Sequence, residues 1–188
     1  ANMPNENIER CIKKAAGSED KNSYEEMVYE GYGPNGSALI ITALTDNKNR
    51  TVDYVRTVMR KHGGSLGNTG CVSYLFDNKG VIVVERKPDL DEDTVMEYAI
   101  EAGADDVLSE DDAFTVYTSV QNFSQVRKFL EDKGLSFFEA SLEMIPQSKI
   151  SFTGEAAEKF QKLVDALEDL DDVQDVYHNV DLPEEEEE

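Results

Sequence analysis

The sequence predicts an α+β protein made of two small sheet-plus-helix units, the second inserted into the first, and three observations carry that prediction. Apolar runs of strand length alternate with amphipathic stretches at helical spacing, and Gly and Pro punctuate them. Charge is divided unevenly: residues 45–70 hold five basic side chains against two acidic ones, whereas residues 89–112 hold eleven acidic and no basic ones. Finally, the chain closes with a strand, helix, strand piece too short to bury a core of its own, so it should return to an earlier sheet. The expected layout is a helix over residues 1–17, a discontinuous α+β unit over 20–87 plus 148–182, an inserted acidic α+β unit over 88–147, and an acidic tail over 183–188.

Each element has a local reason. In residues 1–17, Pro4 suits the first turn of a helix, Ile8, Cys11 and Ile12 form an apolar stripe, and Gly17 is a stop. Residues 26–33 alternate as a strand, with Met27 and Tyr29 on one side and Val28, Glu30 and Tyr32 on the other. Pro34 and Gly36 mark a tight turn into 38–44, an Ile- and Leu-rich run broken only by Thr42, which suits a strand covered on both faces. A helix follows, with Thr51 or Asn49 as its cap; Val52, Val55, Val58 and Met59 line one side and Arg56 and Arg60 lie well away from them. Gly63 and Gly64 end it. Residues 71–76 and 80–85 read as two strands of the same sheet, joined by a hairpin-like Asp77-Asn78-Lys79 connection.

Pro88 opens the acidic unit. A helix over 94–102 presents Val95, Met96, Ala99 and Ile100 on one stripe, strands at 106–108 and 114–118 flank an acidic turn, a helix over 123–133 turns Phe123, Val126, Phe129 and Leu130 inward, and 137–144 is the closing strand. One sheet backed by two helices results. After Pro146 come a short strand at 149–152, a long amphipathic helix over 154–170 and a last strand at 173–180.

Composition limits the function. Forty acidic against eighteen basic residues give a formal net charge of −22, so the chain repels polyanions overall and any nucleic-acid contact must be local. Cys11 and Cys71 stand far apart with no C-x-x-C, which suits reduced thiols in the cytoplasm. No apolar run approaches eighteen residues, so no membrane partner is expected.

Motif matches fail on context. Gly31, Gly33 and Gly36 satisfy G-x-G-x-x-G, but Gly36 runs into a strand where a dinucleotide turn needs a helix N-terminus. Gly63, Gly64, Gly67 and Gly70 lack the Lys and Ser or Thr of a phosphate loop, which leaves a cap and loop, or a set of free amides beside cations that could touch a nucleic-acid backbone. Asp89, Asp91 and Asp93 imitate a calcium loop whose later positions, Thr94 and Ile100, are wrong; helix N-terminal charge explains them better. His62 and His178 have no nucleophile spaced to form a known motif. The chain reads as non-enzymatic, with no cofactor and no metal. Tyr24, Tyr29, Tyr32, Tyr54 and Tyr74 collect near the basic helix, as side chains that stack RNA bases do, although core packing is the commoner role.

The segments NMPNENIERCIKKAAG, YEGYGPNGSALIITALTDNKNRT, KHGGSLG, VSYLFDNKGVI, EAGADDV and DALEDLDDVQDVYHNVD resemble the YebC/PmpR family, in order and from residue 1 to about 182. That resemblance implies the same inserted layout. It implies a probable transcriptional regulatory protein that binds DNA, or a translational activator on structured RNA or the ribosome, as mitochondrial relatives are described. It also implies a further basic N-terminal helical domain, within whose last helix this chain would begin. The candidate phosphate-contacting residues are Arg10, Lys13, Lys14, Lys48, Arg50, Arg56, Arg60 and Lys61. An alternative of another class is a protein-interaction module in which a cleft between the units, lined by acids such as Asp105 and Asp106, receives a cationic partner.

Overall fold

The structure is a computed structural model and describes residues 23–183; the expected helix over 1–17, with Arg10, Lys13 and Lys14, and the glutamates at 184–188 lie outside the described residues. The architecture is α+β. Strand β1 (Glu25–Tyr32) turns through a short 3-10 segment, Pro34–Gly36, into β2 (Ala38–Thr45). Helix α1 (Lys48–Lys61) and the two-residue strand β3 (Ser65–Leu66) follow, then the ten-residue β4 (Phe76–Glu85). Next come α2 (Glu92–Ala102), β5 (Asp106–Ser109), β6 (Ala113–Ser119), α3 (Phe123–Asp132) and β7 (Phe137–Pro146). The chain ends in β8 (Ile150–Ser151), α4 (Glu155–Glu168), β9 (Val173–His178) and β10 (Val180–Asp181).

Two antiparallel four-stranded sheets organise these elements. The first runs β3-β1-β2-β9 and the second β5-β6-β4-β7, while β8 and β10 form a small parallel pair. The closing strand does return to the first sheet, pairing antiparallel with β2. Helices α1 and α4 cover one face of the first sheet, where Val55, Met59, Phe160, Leu163 and Leu167 pack on Leu39, Ile41 and Ala43. Each such large side chain, fully buried, contributes on the order of 1.5–3 kcal/mol. The other face of β2, through Ala38 and Ile40, meets Val72 and Phe76. That is why the run at 38–44 is apolar on both sides. Helices α2 and α3 cover the second sheet, with Val95, Ala99, Val126 and Leu130 on Ile82, Val84, Phe114 and Val116.

Strand placement differs from expectation in one stretch. No hairpin forms at Asp77-Asn78-Lys79, because those residues lie inside β4, and residues 73–75 make a 3-10 turn instead of a strand. β4 pairs with β7 along its length but with β6 only from Lys79 onward, so Asp77 and Asn78 lie in the end of the strand that β6 leaves uncovered. β4 therefore belongs to the second sheet, between β6 and β7, and not beside β1 and β2.

Candidate nucleic-acid interface

Helix α1 has a sharp inside and outside. Thr51, Val55 and Met59 are buried, while Asp53, Tyr54, Arg56, Thr57, Arg60 and Lys61 are exposed on one continuous arc. Its cap is Asn47, whose side chain accepts the Arg50 N–H at 3.1 Å. Thr51, one expected cap, is turned inward: its hydroxyl donates to the Asp172 carboxylate at 2.8 Å and lies 2.7 Å from the Thr45 hydroxyl. Asp172 thereby ties the start of the helix to the loop before β9.

The five expected cations of α1 have different roles. Arg50 is held by Asp172 at 2.9 Å and by Asp46 at 2.8 Å, and those hydrogen bonds keep its guanidinium pKa above the usual value. It positions structure before it can meet a ligand. Lys48 pairs with Glu25, and Arg56 with Asp53 at 3.0 Å. Arg60 and Lys61, in the last turn, are exposed and make no ion pair among the described residues. They lie where cations also complement the helix dipole.

The glycine cluster after α1 cannot serve as an anion nest, because all four of its glycine N–H groups are engaged. Gly63 and Gly64 donate to the Arg60 and Met59 carbonyls at 3.4 and 2.7 Å, and Gly67 donates to the Glu30 carbonyl at 2.8 Å. Gly70, at φ +88°, gives its N–H to the Glu30 carboxylate at 2.7 Å, beside those of Val72 and Ser73 at 3.0 and 2.9 Å. The chain supplies its own anion. Burial alone would raise the Glu30 pKa, but these amides and the Ser73 hydroxyl outweigh it and hold the carboxylate below the ordinary glutamate value. The same burial, with Glu30 alongside, pushes the Cys71 thiol up, so it is not an activated nucleophile.

Neither Glu30 nor Asp172 stood out in the sequence as a functional residue. The available signal was a glutamate within an otherwise apolar, strand-forming stretch.

The remaining expected features fall into place around these. Asp91 caps α2, accepting the Thr94 N–H at 2.7 Å. His178 packs edge-on against Phe160 at 5.0 Å, its Nδ1 accepting the Val180 N–H, and burial lowers its pKa. His62 closes α1 as its C-cap. Tyr29 is core, whereas Tyr54 and Tyr74 are 53% and 67% exposed and Tyr24 and Tyr32 are each 40% exposed.

Asp105 and Asp106 do not line a cleft between the units. They sit at the start of β5, the outer edge of the second sheet, while β7 at the opposite edge faces the first sheet, where Tyr177 donates its hydroxyl to the Leu142 carbonyl at 3.4 Å. The acids near that junction are Glu139, Glu143 and Asp175. Burial, then Glu139 and Asp175, raises the Glu143 pKa; burial, then Asp175, Glu143 and Glu139, pushes Tyr177 up to about 12. Among the described residues, no helix is long and apolar enough to cross a membrane.

Comparison with known proteins agrees with this architecture. The family model described as "TACO1/YebC second and third domain" matches residues 24–180. A probable transcriptional regulatory protein of Clostridium perfringens strain SM101 is 53% identical over 184 residues, covering 98% of this chain and 75% of that protein. One from Anoxybacillus flavithermus is 54% identical over 182 residues, covering 96% and 74%. A crystal structure of a conserved hypothetical protein from Aquifex aeolicus superposes with a TM-score of 0.80 at 46% identity, over 98% of this chain and 76% of that one. With a family model matched along most of its length and relatives more than half identical across nearly all of it, the chain belongs to the TACO1/YebC family.

Proposed function

We propose that this protein is a non-enzymatic, cytoplasmic regulator of gene expression that contacts the backbone of duplex DNA through the exposed arc of α1. The observation that carries the reading is the pair Arg60 and Lys61, exposed and free of ion pairs among the described residues on a chain that is otherwise strongly acidic. Two cations on a rigid helix position a phosphate chain without reading its sequence. Arg56, one turn before them, would exchange Asp53 for phosphate, and Lys48, at the opposite end of α1, would exchange Glu25. Arg50 would act by fixing the helix. Arg10, Lys13 and Lys14 would add contacts from outside the described residues. The names of the relatives, probable transcriptional regulatory proteins, support the transcriptional form of this reading.

A second reading, association with structured RNA on the ribosome, is favoured by the exposed rings of Tyr54, Tyr32 and Tyr74, which suit stacking on unpaired bases.

A salt series tests both. Co-sedimentation with ribosomes and electrophoretic binding to duplex DNA are compared for the wild-type chain and for Arg60→Glu/Lys61→Glu. The expected result is DNA binding whose log–log salt slope falls by roughly 0.9 for each phosphate contact removed. Retention on ribosomes at salt that releases DNA selects the RNA reading. An unchanged slope in the double variant refutes the role of α1 in both.

A further inference from the structure

The open edge of the first sheet has the form of a docking site for an extended segment of another protein. In β2, Leu44 gives its N–H to the Asp172 carbonyl and Ala38 accepts at its carbonyl from Asn179, so the even-numbered residues of that strand direct their backbone toward β9. Their partners across the ladder, Glu26, Val28, Glu30 and Tyr32, must then turn their N–H and C=O groups away from β2. β3 covers only Gly31 and Tyr32, and Gly67 takes the Glu30 carbonyl. Beyond that point the N–H and C=O groups of Val28 and Glu26 have no partner among the described residues.

Those of Val28 open on a groove of about 410 Å³ between α1 and the loop after β3, lined by Val28, Val52, Arg56, Leu66, Asn68 and Thr69, and Glu26 stands just beyond it along β1. Val28 is 52% exposed in the middle of the strand. Natural sheet edges are protected by short strands, bulges or inward charges; this one is straight and shows an apolar residue at its centre.

We propose that the groove receives an extended, basic segment of a partner protein, which adds as a strand in line with β3. Its alternate side chains would meet two surfaces. Those on the α1 side reach Val52 and Leu66 and should be apolar. Those on the other side stand opposite Val28 and Glu26, and Glu26 makes no ion pair among the described residues, so they should be cationic. Arg56 belongs to the α1 wall, where the apolar side chains of the segment lie, and while it stays paired with Asp53 at 3.0 Å that wall carries no net charge. A second copy of the chain is the poorer occupant, since it would bring a net charge of −22 against the same charge.

The test uses the whole chain and the peptide acetyl-(Lys-Val)₃-amide, with binding measured by calorimetry and amide exchange followed by NMR. Binding should protect the amides of Glu26 and Val28. It should weaken at least tenfold in Val28→Pro, which deletes an N–H that β2 does not use, and in Glu26→Lys, and it should vanish for a peptide N-methylated at alternate residues. Two variants are used so that a folding defect in one does not decide the result. Equal binding of the N-methylated peptide, or protection elsewhere, overturns strand addition. Concentration-dependent dimerisation lost in Val28→Pro overturns the choice of partner in favour of a second copy.

Discussion

The two sheets are alike in outline but not in what holds them. Of the eight buried polar or charged residues among those described, six (Glu30, Ser37, Thr45, Thr51, Asp172 and Asn179) belong to the first sheet, its loops and α1, and only Thr115 and Thr118 to the second. The first sheet even keeps the Tyr29 hydroxyl buried without a hydrogen-bond partner among the described residues. The second relies mainly on aliphatic and aromatic packing. A buried charge contributes little net stability but is costly to leave unpaired, so the first sheet gains defined loop and helix positions at the expense of tolerance to change.

That contrast can be broken first at its strongest points. Asp172→Ala should destabilise by about 1–3 kcal/mol, because the buried hydroxyls of Thr45 and Thr51 lose their shared carboxylate, while Arg50 keeps Asp46. Phe114→Ala in the second core should cost ~3–5 kcal/mol through a cavity. Urea unfolding followed by circular dichroism measures both, and only the first should also loosen the start of α1, seen as faster amide exchange there. A small loss in Asp172→Ala would show that the polar lock is ornamental.

Glu30→Gln comes next, with an expected cost of about 1–3 kcal/mol, since one oxygen that accepts an amide is replaced by an NH₂ group. It should also change the pH profile. The folded carboxylate has a lowered pKa, so its stabilisation is full above the ordinary glutamate value and is lost as pH falls through the lower folded value. The variant should flatten that acid limb; an unchanged limb assigns it to other carboxylates.

The smallest effect is expected at the junction. Glu143 has a raised folded pKa, so its contribution favours the protein below the ordinary glutamate range and is lost as pH rises through the folded value. Glu143→Gln should therefore stabilise at neutral pH by a few tenths of a kcal/mol, limited by solvent screening of this part-exposed group, and the gain should disappear in acid. Thermal unfolding at two pH values decides it.

Much of this fold was legible in the sequence, and the reasons are local. The helix stripes of α1, α3 and α4, the Pro34–Gly36 turn and the two-faced burial of β2 follow from spacing and turn chemistry. In α2 the expected stripe is half right: Val95 and Ala99 are buried, with Ala102 completing the inner face, whereas Met96 and Ile100 are 37% and 71% exposed. The misreading at Asp77-Asn78-Lys79 arose because polar residues inside a strand look like a turn unless the length of the neighbouring strand is known. The candidate interface was legible only in part. Helical spacing put Arg56, Arg60 and Lys61 outside, but nothing local showed that Asp172, more than a hundred residues away, holds Arg50. Nor could it show that Glu30 occupies the glycine loop.

The placement of β4 has a consequence for dissecting the molecule. Its start packs with Val72 against Ala38 and Ile40 of the first sheet, and its length lies between β6 and β7 in the second. A cut after residue 87 would send this strand away with one fragment and its hydrogen-bonding neighbours with the other. Neither piece would then hold a complete second sheet, and the two would have to reassemble around the shared strand to restore it. For this chain, fragment complementation is a better means of studying the halves than separate expression.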